Sequence, residues 1–158
     1  MEFESKILSK SISEMLYNSD KTLGTAESCT GGRIAEAIIS VPGASDYFKG
    51  GIVSYTNEVK ESILGVSHQV LEEQTAVCEE VAKEMVIGAI KALNVDYAVS
   101  ATGVAGPTGG TPEIPVGTIW IGYGSKDEVR TVKLSEDFGR DINLAIATNT
   151  ALKSILSF

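Results

Sequence analysis

The sequence predicts one α/β domain over residues 1–158, a three-layer α/β/α sandwich with a mixed sheet, and three observations support this fold class. Helical patterns alternate along the chain with short runs of small and β-branched residues, as in a sheet that helices cover. The last two strand-like runs are joined by Ser125-Lys126-Asp127, which is typical of an antiparallel hairpin. A chain of 158 residues, 43% of them hydrophobic, can bury one core without disulfides or a metal.

The first third of the chain has the pattern of helix, strand and helix. Apolar residues over 3–16 recur at helical spacing, so we expect an amphipathic helix that packs on the body of the domain. A short strand is predicted over 22–26. The next helix follows a turn at 28–32 and ends near Ser40, because Val41-Pro42-Gly43 cannot continue it.

The middle third predicts a strand and two helices. The strand covers 47–55, and its two central glycines indicate a bulge or a close approach to the backbone. A short helix follows, with Thr56 or Asn57 as its N-cap and Gly65 at its C-terminus. A long helix is then predicted over 75–93 from the apolar residues on one of its sides.

The last third supplies the remaining strands. The small and β-branched residues at 95–102 are typical of a strand buried on both faces. This strand runs into a loop over 103–112 that is rich in Gly, Pro and Thr. Two further strands over 116–124 and 129–134 form the expected hairpin, and a helix over 140–156 ends the pattern. We therefore expect parallel strands where helices intervene and antiparallel strands at the hairpin.

Charge and composition exclude several classes of function. The net charge of -8 argues against a basic surface for nucleic acid or for an anionic membrane. No apolar run is long enough to span a bilayer and the N-terminus lacks a signal-peptide pattern, so a cytoplasmic location is expected. Cys29 and Cys78 form no zinc-type cluster, and the single histidine, His68, is expected in a solvated loop.

The turn at 28–32 is the first candidate site. A strand-to-helix turn directs unpaired backbone N–H groups and the positive end of the helix dipole at one point, where they can hold a phosphate, a carboxylate or an oxyanion. The turn also presents Ser28, Cys29 and Thr30 as nucleophiles or hydrogen-bond donors. The alternative is a Ser or Thr N-cap followed by a flexible turn.

Two later features are candidates for the same site. Lys60 lies near the first turn of the predicted short helix, where burial and the helix dipole both lower a lysine pKa; the alternative is an ordinary surface lysine. The loop at 103–112 follows the C-terminal end of a strand, which is where open α/β sheets bind ligands. It is either a backbone cradle for a ligand or a plain long loop.

Three stretches together resemble one family, the C-terminal domain of the CinA competence/damage-inducible proteins, which is found also as free-standing nicotinamide-nucleotide amidases. They are Ala26-Glu27-Ser28-Cys29-Thr30-Gly31-Gly32, the run from Gly51 to Lys60 leading to Leu64-Gly65-Val66, and the run from Ala101 to Pro112 with Pro115-Val116-Gly117-Thr118. The resemblance covers nearly the whole chain and implies the stand-alone form. The chain departs from the pattern at Cys78, where a capping serine is usual, at Gly139-Arg140, where Gly-Asp-Arg is usual, and at Leu144, where a second arginine is common.

The resemblance implies an enzyme that hydrolyses the carboxamide of nicotinamide mononucleotide to nicotinate mononucleotide and ammonia, without a metal or cofactor. It implies Ser28 as the nucleophile, with Lys60 and Tyr55 as its activating partners. Because no histidine is well placed, a neutral Lys60 is the natural base, and Tyr55 either relays the proton or orients Lys60. Cys29 is a weaker alternative nucleophile, since a thiolate at a helix N-terminus is reactive.

The rest of the predicted site binds the substrate. The predicted binding residues are Thr30, Gly31, Gly32, Gly106, Thr108, Gly109, Gly110 and Arg140. The N–H groups after Ser28 are candidates for an oxyanion hole, and Thr30 either bonds the nucleophile or caps the helix. The loop and Arg140 would hold the phosphate. Glu27 either braces the turn, which we favour, or offsets the charge of the pyridinium ring.

A second hypothesis comes from another class of function. It is a non-catalytic module that binds a nucleotide or docks a partner in competence or DNA-damage responses, and it needs the cradle but neither Ser28 nor Lys60. For either function we expect a small-molecule nucleotide as ligand, no nucleic acid and no membrane. A homodimer is expected because a small one-domain enzyme often completes its pocket at a two-fold interface.

Overall fold

Five strands and six α-helices make up the computed structural model, which describes residues 2–158. The strands are β1 (Leu23–Glu27), β2 (Phe48–Val53), β3 (Tyr97–Gly103), β4 (Ile119–Gly124) and β5 (Val129–Leu134). The helices are α1 (Glu2–Leu16), α2 (Arg33–Ile39), α3 (Asn57–Leu64), α4 (His68–Gln74), α5 (Glu79–Leu93) and α6 (Arg140–Ile155). One 3-10 turn at Ala44–Asp46 precedes β2. None of the described helices combines the length and the hydropathy that a membrane span requires.

The strands form one mixed sheet in the order β2-β1-β3-β4-β5. Strands β2, β1 and β3 are parallel, and β4 and β5 continue the sheet antiparallel, as the sequence predicts. Every residue of β1, an interior strand of the sheet, is buried. Because parallel strands end at the same edge of a sheet, Glu27 lies between Val53 of β2 and Ala101 of β3. The turn after β1 therefore starts beside the ends of two other strands.

Helices cover both faces of this sheet, which confirms the three-layer sandwich. One face packs on α1, α2 and α6, and its buried cluster includes Ile12, Ile34 and Leu152. The other packs on α5, against which α3 and α4 lie, and its buried cluster includes Leu64 and Met85. All of these side chains are at most 4% exposed, so each layer contributes apolar area to one of two cores.

The two glycines of β2 have the roles that the sequence suggests. The register between β1 and β2 shifts opposite Phe48 and Gly50, which is a bulge. A Cβ on Gly51 would collide with the hydroxyl of Thr25 on β1, so this glycine permits the close approach of the two strands.

A glycine also sets the contact between α3 and α5. A Cβ on Gly88, in the middle of α5, would collide with the backbone carbonyl of Leu64, where α3 ends. Gly88 is buried, and because it has no side chain, the backbone of α5 can lie directly against the C-terminal end of α3. This contact fixes α3, the helix that carries Lys60, against α5.

The segment after α3 differs from the prediction, because 68–74 forms the short helix α4. Ser67 caps it by accepting a hydrogen bond from the Val70 N–H at 3.3 Å. His68 is its first residue, so the prediction of a loop was wrong, although the side chain is exposed as expected. Its Nδ1 lies 3.0 Å from Glu61 Oε1, and this contact raises the pKa of His68 above its usual value.

The long helix and the fourth strand both begin later than predicted. Thr75 has a φ of 67°, which a residue inside an α-helix does not adopt, and α5 begins only at Glu79 with Cys78 as its N-cap. The fourth strand starts at Ile119 instead of Val116, because Gly117 has a φ of 96° and donates its N–H to the loop carbonyl of Val104.

Candidate functional site

A cavity of about 350 Å³ opens at the edge of the sheet where β1, β2 and β3 end. Its walls come from five parts of the chain: the turn after β1, the start of α3, the connection between α4 and α5, the loop after β3, and the first residue of α6. The position agrees with the rule that α/β sheets bind ligands beyond the carboxyl ends of their strands.

Ser28 and Lys60 meet at the base of this cavity, although 32 residues separate them in the chain. The Nζ atom of Lys60 lies 2.9 Å from Ser28 Oγ and donates a second hydrogen bond, also at 2.9 Å, to the backbone carbonyl of Ser54. Lys60 is only 1% exposed and Ser28 only 8%. A hydroxyl and an amine are thus in contact, and most water is excluded from them.

Burial sets the charge of this lysine. Lys60 forms no ion pair with any carboxylate among residues 2–158, and desolvation lowers its pKa below the usual 10.5. It lies in the first turn of α3, after the Thr56 cap, where the helix dipole acts in the same direction. A buried amine without a counter-charge is favoured in its neutral form, which has a lone pair free to accept a proton.

This burial leads to an expectation for stability. A lysine whose pKa is lower in the folded state reduces the free energy of unfolding. The reduction is largest at pH values below the folded-state pKa and disappears as the pH rises toward 10.5. We therefore expect Lys60→Met to raise the melting temperature at pH 7, by about 2–4 °C for each kcal/mol gained. Calorimetry from pH 6 upward measures the change in melting temperature, and Lys49→Met at an exposed lysine is the control. Equal changes in melting temperature in both variants would contradict the expectation.

Glu27 holds the turn that presents Ser28. Its Oε1 accepts hydrogen bonds from the Thr30 hydroxyl at 2.6 Å and the Ile34 N–H at 2.9 Å, and its Oε2 accepts one from the Ala35 N–H at 3.0 Å. The carboxylate is 1% exposed and caps the N-terminus of α2, where negative charge is favoured. Glu27 therefore braces the turn, as we favoured from the sequence, and does not face the cavity.

Replacing one carboxylate oxygen tests this bracing. Glu27→Gln puts an NH2 group against a backbone N–H and leaves a buried donor unpaired, so we expect a loss of about 1–3 kcal/mol of folding stability. Urea unfolding monitored by circular dichroism measures the loss. The exposed Glu36→Gln on the same helix is the control, and equal effects of the two changes would argue against a bracing role.

The contacts of Glu27 also determine which groups of the turn at 28–32 can contact a ligand. The Thr30 hydroxyl is fully buried and bonded to Glu27, so it does not contact Ser28. Gly31 and Gly32 adopt left-handed φ values of 58° and 106° but do not line the cavity. The structure thus gives the two glycines a conformational role in place of the predicted substrate contact, and it leaves Thr30 only its backbone.

Two backbone N–H groups beside Ser28 remain available. The N–H of Ser28 itself donates to the Ala101 carbonyl at 2.9 Å, and that of Gly31 donates to the Ser28 carbonyl at 3.1 Å. Among the described residues, the Thr30 N–H has no acceptor within the chain, and the Cys29 N–H interacts only with its own thiol. They are the candidates for an oxyanion hole that the geometry leaves.

Cys29 does not have the properties of a nucleophile. It lines the cavity and is as exposed as Ser28, but burial raises the pKa of its thiol to about 12. The thiol is therefore protonated at neutral pH, and the reactive thiolate is absent.

Tyr55 lies at the mouth of the cavity and is 62% exposed. Its hydroxyl has no hydrogen bond to Ser28 or Lys60 in the described part of the chain. The carbonyl of Ser54 orients Lys60 instead, a contact that sequence reasoning missed because a carbonyl has no side-chain signature. Tyr55 is placed to meet a ligand that enters the site.

The loop after β3 forms the opposite wall. Of the loop residues predicted to bind the substrate, Gly106, Thr108 and Gly109 line the cavity, whereas Gly110 does not line it and lies next to Val116. The Arg140 guanidinium also lines the cavity and donates a hydrogen bond to the Gly106 carbonyl at 2.7 Å.

The connection between α4 and α5 is a wall that the sequence did not predict. Ala76 and Val77 line the cavity, and the Thr102 hydroxyl holds the Ala76 carbonyl at 2.8 Å. Both residues fall within the helix predicted over 75–93 but lie before the observed start of α5. The acidic pair Glu79-Glu80 marks the true first turn and was the available signal.

The charge of the cavity is positive in a chain of net charge -8. Arg140 carries this charge, Lys60 is the other basic lining residue and is favoured in its neutral form, and no carboxylate lines the cavity in residues 2–158. The same residues contain no group of three His, Cys, Asp or Glu side chains placed to hold a metal ion. The cavity suits an anionic organic ligand with a group that reaches Ser28.

Comparisons with known proteins agree on one family. The family model described as the CinA C-terminal domain matches residues 5–158. A CinA-like protein of Leptospira borgpetersenii is 56% identical over 114 residues, which are 72% of this chain and 27% of that protein. The chain thus spans about a quarter of the length of this relative.

Solved structures give the same relationship at the level of the fold. The competence/damage inducible protein CihA of Agrobacterium tumefaciens has a TM-score of 0.94 and 33% identity, and the match covers 98% of this chain and 94% of that one. A CinA superfamily protein of Escherichia coli has a TM-score of 0.92 and 36% identity, with coverage of 96% and 88%.

Proposed function

Because the chain belongs to the CinA C-terminal domain family, we propose that it hydrolyses the carboxamide of nicotinamide mononucleotide to nicotinate mononucleotide and ammonia. The observation that carries the proposal is the contact between Ser28 Oγ and the buried Nζ of Lys60. A serine is a poor nucleophile until a base removes its proton, and a neutral lysine is such a base.

In the first half of the reaction Lys60 acts twice. The Ser28 hydroxyl gives its proton to the neutral Nζ as Oγ attacks the amide carbon, and the N–H groups of Cys29 and Thr30 stabilise the oxyanion. The protonated Nζ then donates to the amide nitrogen, the C–N bond breaks, and ammonia leaves. Lys60 is neutral again, and the nicotinoyl group is an ester of Ser28.

In the second half, water replaces ammonia. Lys60 takes a proton from a water molecule whose oxygen attacks the ester carbon, and returns it to Ser28 Oγ as the C–O bond breaks. The products are nicotinate mononucleotide and free enzyme. The role proposed for Tyr55, at the mouth, is to contact the pyridine ring, because its hydroxyl reaches neither Ser28 nor Lys60.

The positive side of the cavity would bind the phosphate. The N–H groups of Gly106, Thr108 and Gly109 donate to no acceptor in the described chain, and Arg140 adds a full charge beside them. Free N–H groups with an arginine are a general means of binding phosphate.

A nucleotide-binding module in competence or DNA-damage responses is the second candidate. The names of the relatives favour it, since they describe competence-damage inducible proteins and no reaction. It would bind the nucleotide without turnover. The homodimer remains a prediction in either case.

Ammonia release from nicotinamide mononucleotide in chelator-treated buffer decides between the two. We expect ammonia and nicotinate mononucleotide in equal amounts from the wild type, and none from Ser28→Ala/Lys60→Ala purified in the same way. A folded wild type that binds the nucleotide and releases no ammonia would support the binding module and refute the amidase.

A further inference from the structure

Asn143, in the first turn of α6, is a buried polar residue that the reaction above does not use. It is 3% exposed, and both N–H donors and the oxygen of its amide group are engaged in hydrogen bonds. Its Nδ2 donates to the Ala105 carbonyl at 3.1 Å and to Asp137 Oδ1 at 3.0 Å, and its Oδ1 accepts from the Phe138 N–H at 2.8 Å. One side chain thus joins the loop after β3 to the turn before α6.

Arg140, three residues earlier on α6, holds the adjacent carbonyl of the same loop. The carbonyls of Ala105 and Gly106 are therefore both turned toward the start of α6, at 3.1 Å and 2.7 Å from their donors. A trans peptide directs its C=O and N–H in opposite directions, so the contact with Asn143 turns the Gly106 N–H away from α6. Both loop residues line the cavity.

The other end of the Asn143 amide is fixed as well. Asp137 accepts from Asn143 and from the Gly139 N–H at 3.0 Å, and these two hydrogen bonds lower the pKa of its carboxyl. An ionised Asp137 cannot donate, so Asn143 is held with Nδ2 toward Asp137 and Ala105 and with Oδ1 toward Phe138. The orientation of the amide is determined by its partners.

We propose that Asn143 is a positioning residue for anion binding: it sets the direction of the Ala105 carbonyl and thereby presents the Gly106 N–H, beside Arg140, to the phosphate of the substrate. The proposal rests on the proposed function for the identity of the substrate. It concerns the phosphate end only, because Asn143 has no contact with Ser28 or Lys60 in the described residues.

The test compares two asparagines of α6 that are equally buried. Asn143→Leu removes the loop contact, whereas Asn149→Leu removes contacts to Ser5 and Glu4 of α1, away from the cavity. Asn143→Ser is the second variant in case the leucine prevents folding, since a serine is too short to reach Ala105. Thermal melting identifies the folded variants.

Ribose 5-phosphate is the probe, and calorimetry gives its Kd without any turnover. We expect the Asn143 variants to bind it about 10-fold more weakly and Asn149→Leu to bind it like the wild type. With nicotinamide mononucleotide, KM should rise by a similar factor while kcat is kept. Hydrolysis of nicotinamide riboside, which lacks the phosphate, should not change.

Other results overturn the proposal. Equal losses in the Asn143 and Asn149 variants would mean a general effect on folding, and unchanged Kd values would mean that the loop needs no such support. A wild type that hydrolyses the nucleotide but does not bind ribose 5-phosphate also refutes it, while the amidase stands. A wild type that binds ribose 5-phosphate through Asn143 but releases no ammonia refutes the amidase and leaves the positioning role intact.

Discussion

Ser28→Ala is expected to lower kcat for the hydrolysis of nicotinamide mononucleotide by about 10⁴–10⁶, as removal of a serine nucleophile does in other serine hydrolases. The methyl group cannot form the ester, and no neighbouring group replaces it. The cavity that binds the substrate keeps its shape, so the Kd for the nucleotide should change little. Stopped-time measurement of ammonia gives kcat, and calorimetry gives the Kd.

Cys29→Ala is the matched control, since it removes the adjacent side chain from the same turn. The Cys29 thiol is buried and protonated, so this variant should keep the wild-type rate. An inactive Cys29→Ala beside an active Ser28→Ala would reverse the two roles. Mass spectrometry after acid quenching should find the nicotinoyl adduct on the peptide that contains Ser28, and the Ser28→Ala protein should carry none.

Lys60→Met is expected to lower kcat/KM by about 10²–10⁴, the usual contribution of a positioned general base. Methionine fills a similar volume but has no lone pair of this basicity, so Ser28 would keep its proton. Lys60→Arg should be equally inactive, because a guanidinium does not lose its proton at any working pH. Activity retained in Lys60→Arg would show that the charge, and not proton transfer, is the contribution of this residue.

The pH dependence gives an independent measure of the same lysine. Neutral Lys60 is the active form, so kcat/KM should rise with pH and level off above the pKa of Lys60, which lies below 10.5. Measurements above pH 7 avoid the second ionisation of the phosphate, near pH 6. The rising limb should be missing from the residual rate of Lys60→Met, and a wild-type rate that falls with pH over this range would refute the assignment.

The fold was predictable because most of its elements are long and periodic. The helices α1 and α5 each present one apolar side, and the run of small residues in β3 needs two covered faces. The short helix α4 was missed because seven residues give too little periodicity. The start of α5 was misplaced because a left-handed Thr75 has no signature in the sequence.

The site was predictable to the extent that it depends on chemistry present in motifs. Ser28 and Lys60 were found, and the structure brings them together. Thr30 was assigned to the substrate because a hydroxyl beside a nucleophile is a plausible donor, but Glu27, three residues away, captures it inside the turn. Asn143 was not found, because its partner Ala105 lies 38 residues upstream and is reached only through its backbone.

The contact of Gly88 with Leu64 limits how the sequence of this domain can vary. Any side chain at position 88 would push α3 away from α5 and carry Lys60 with it, so a substitution there would act on the amine at the base of the cavity without touching it. Exposed positions on the same helix, such as Ile87, are free of this limit. We therefore expect related sequences to have glycine at the position of Gly88, even though this residue takes part in no chemistry.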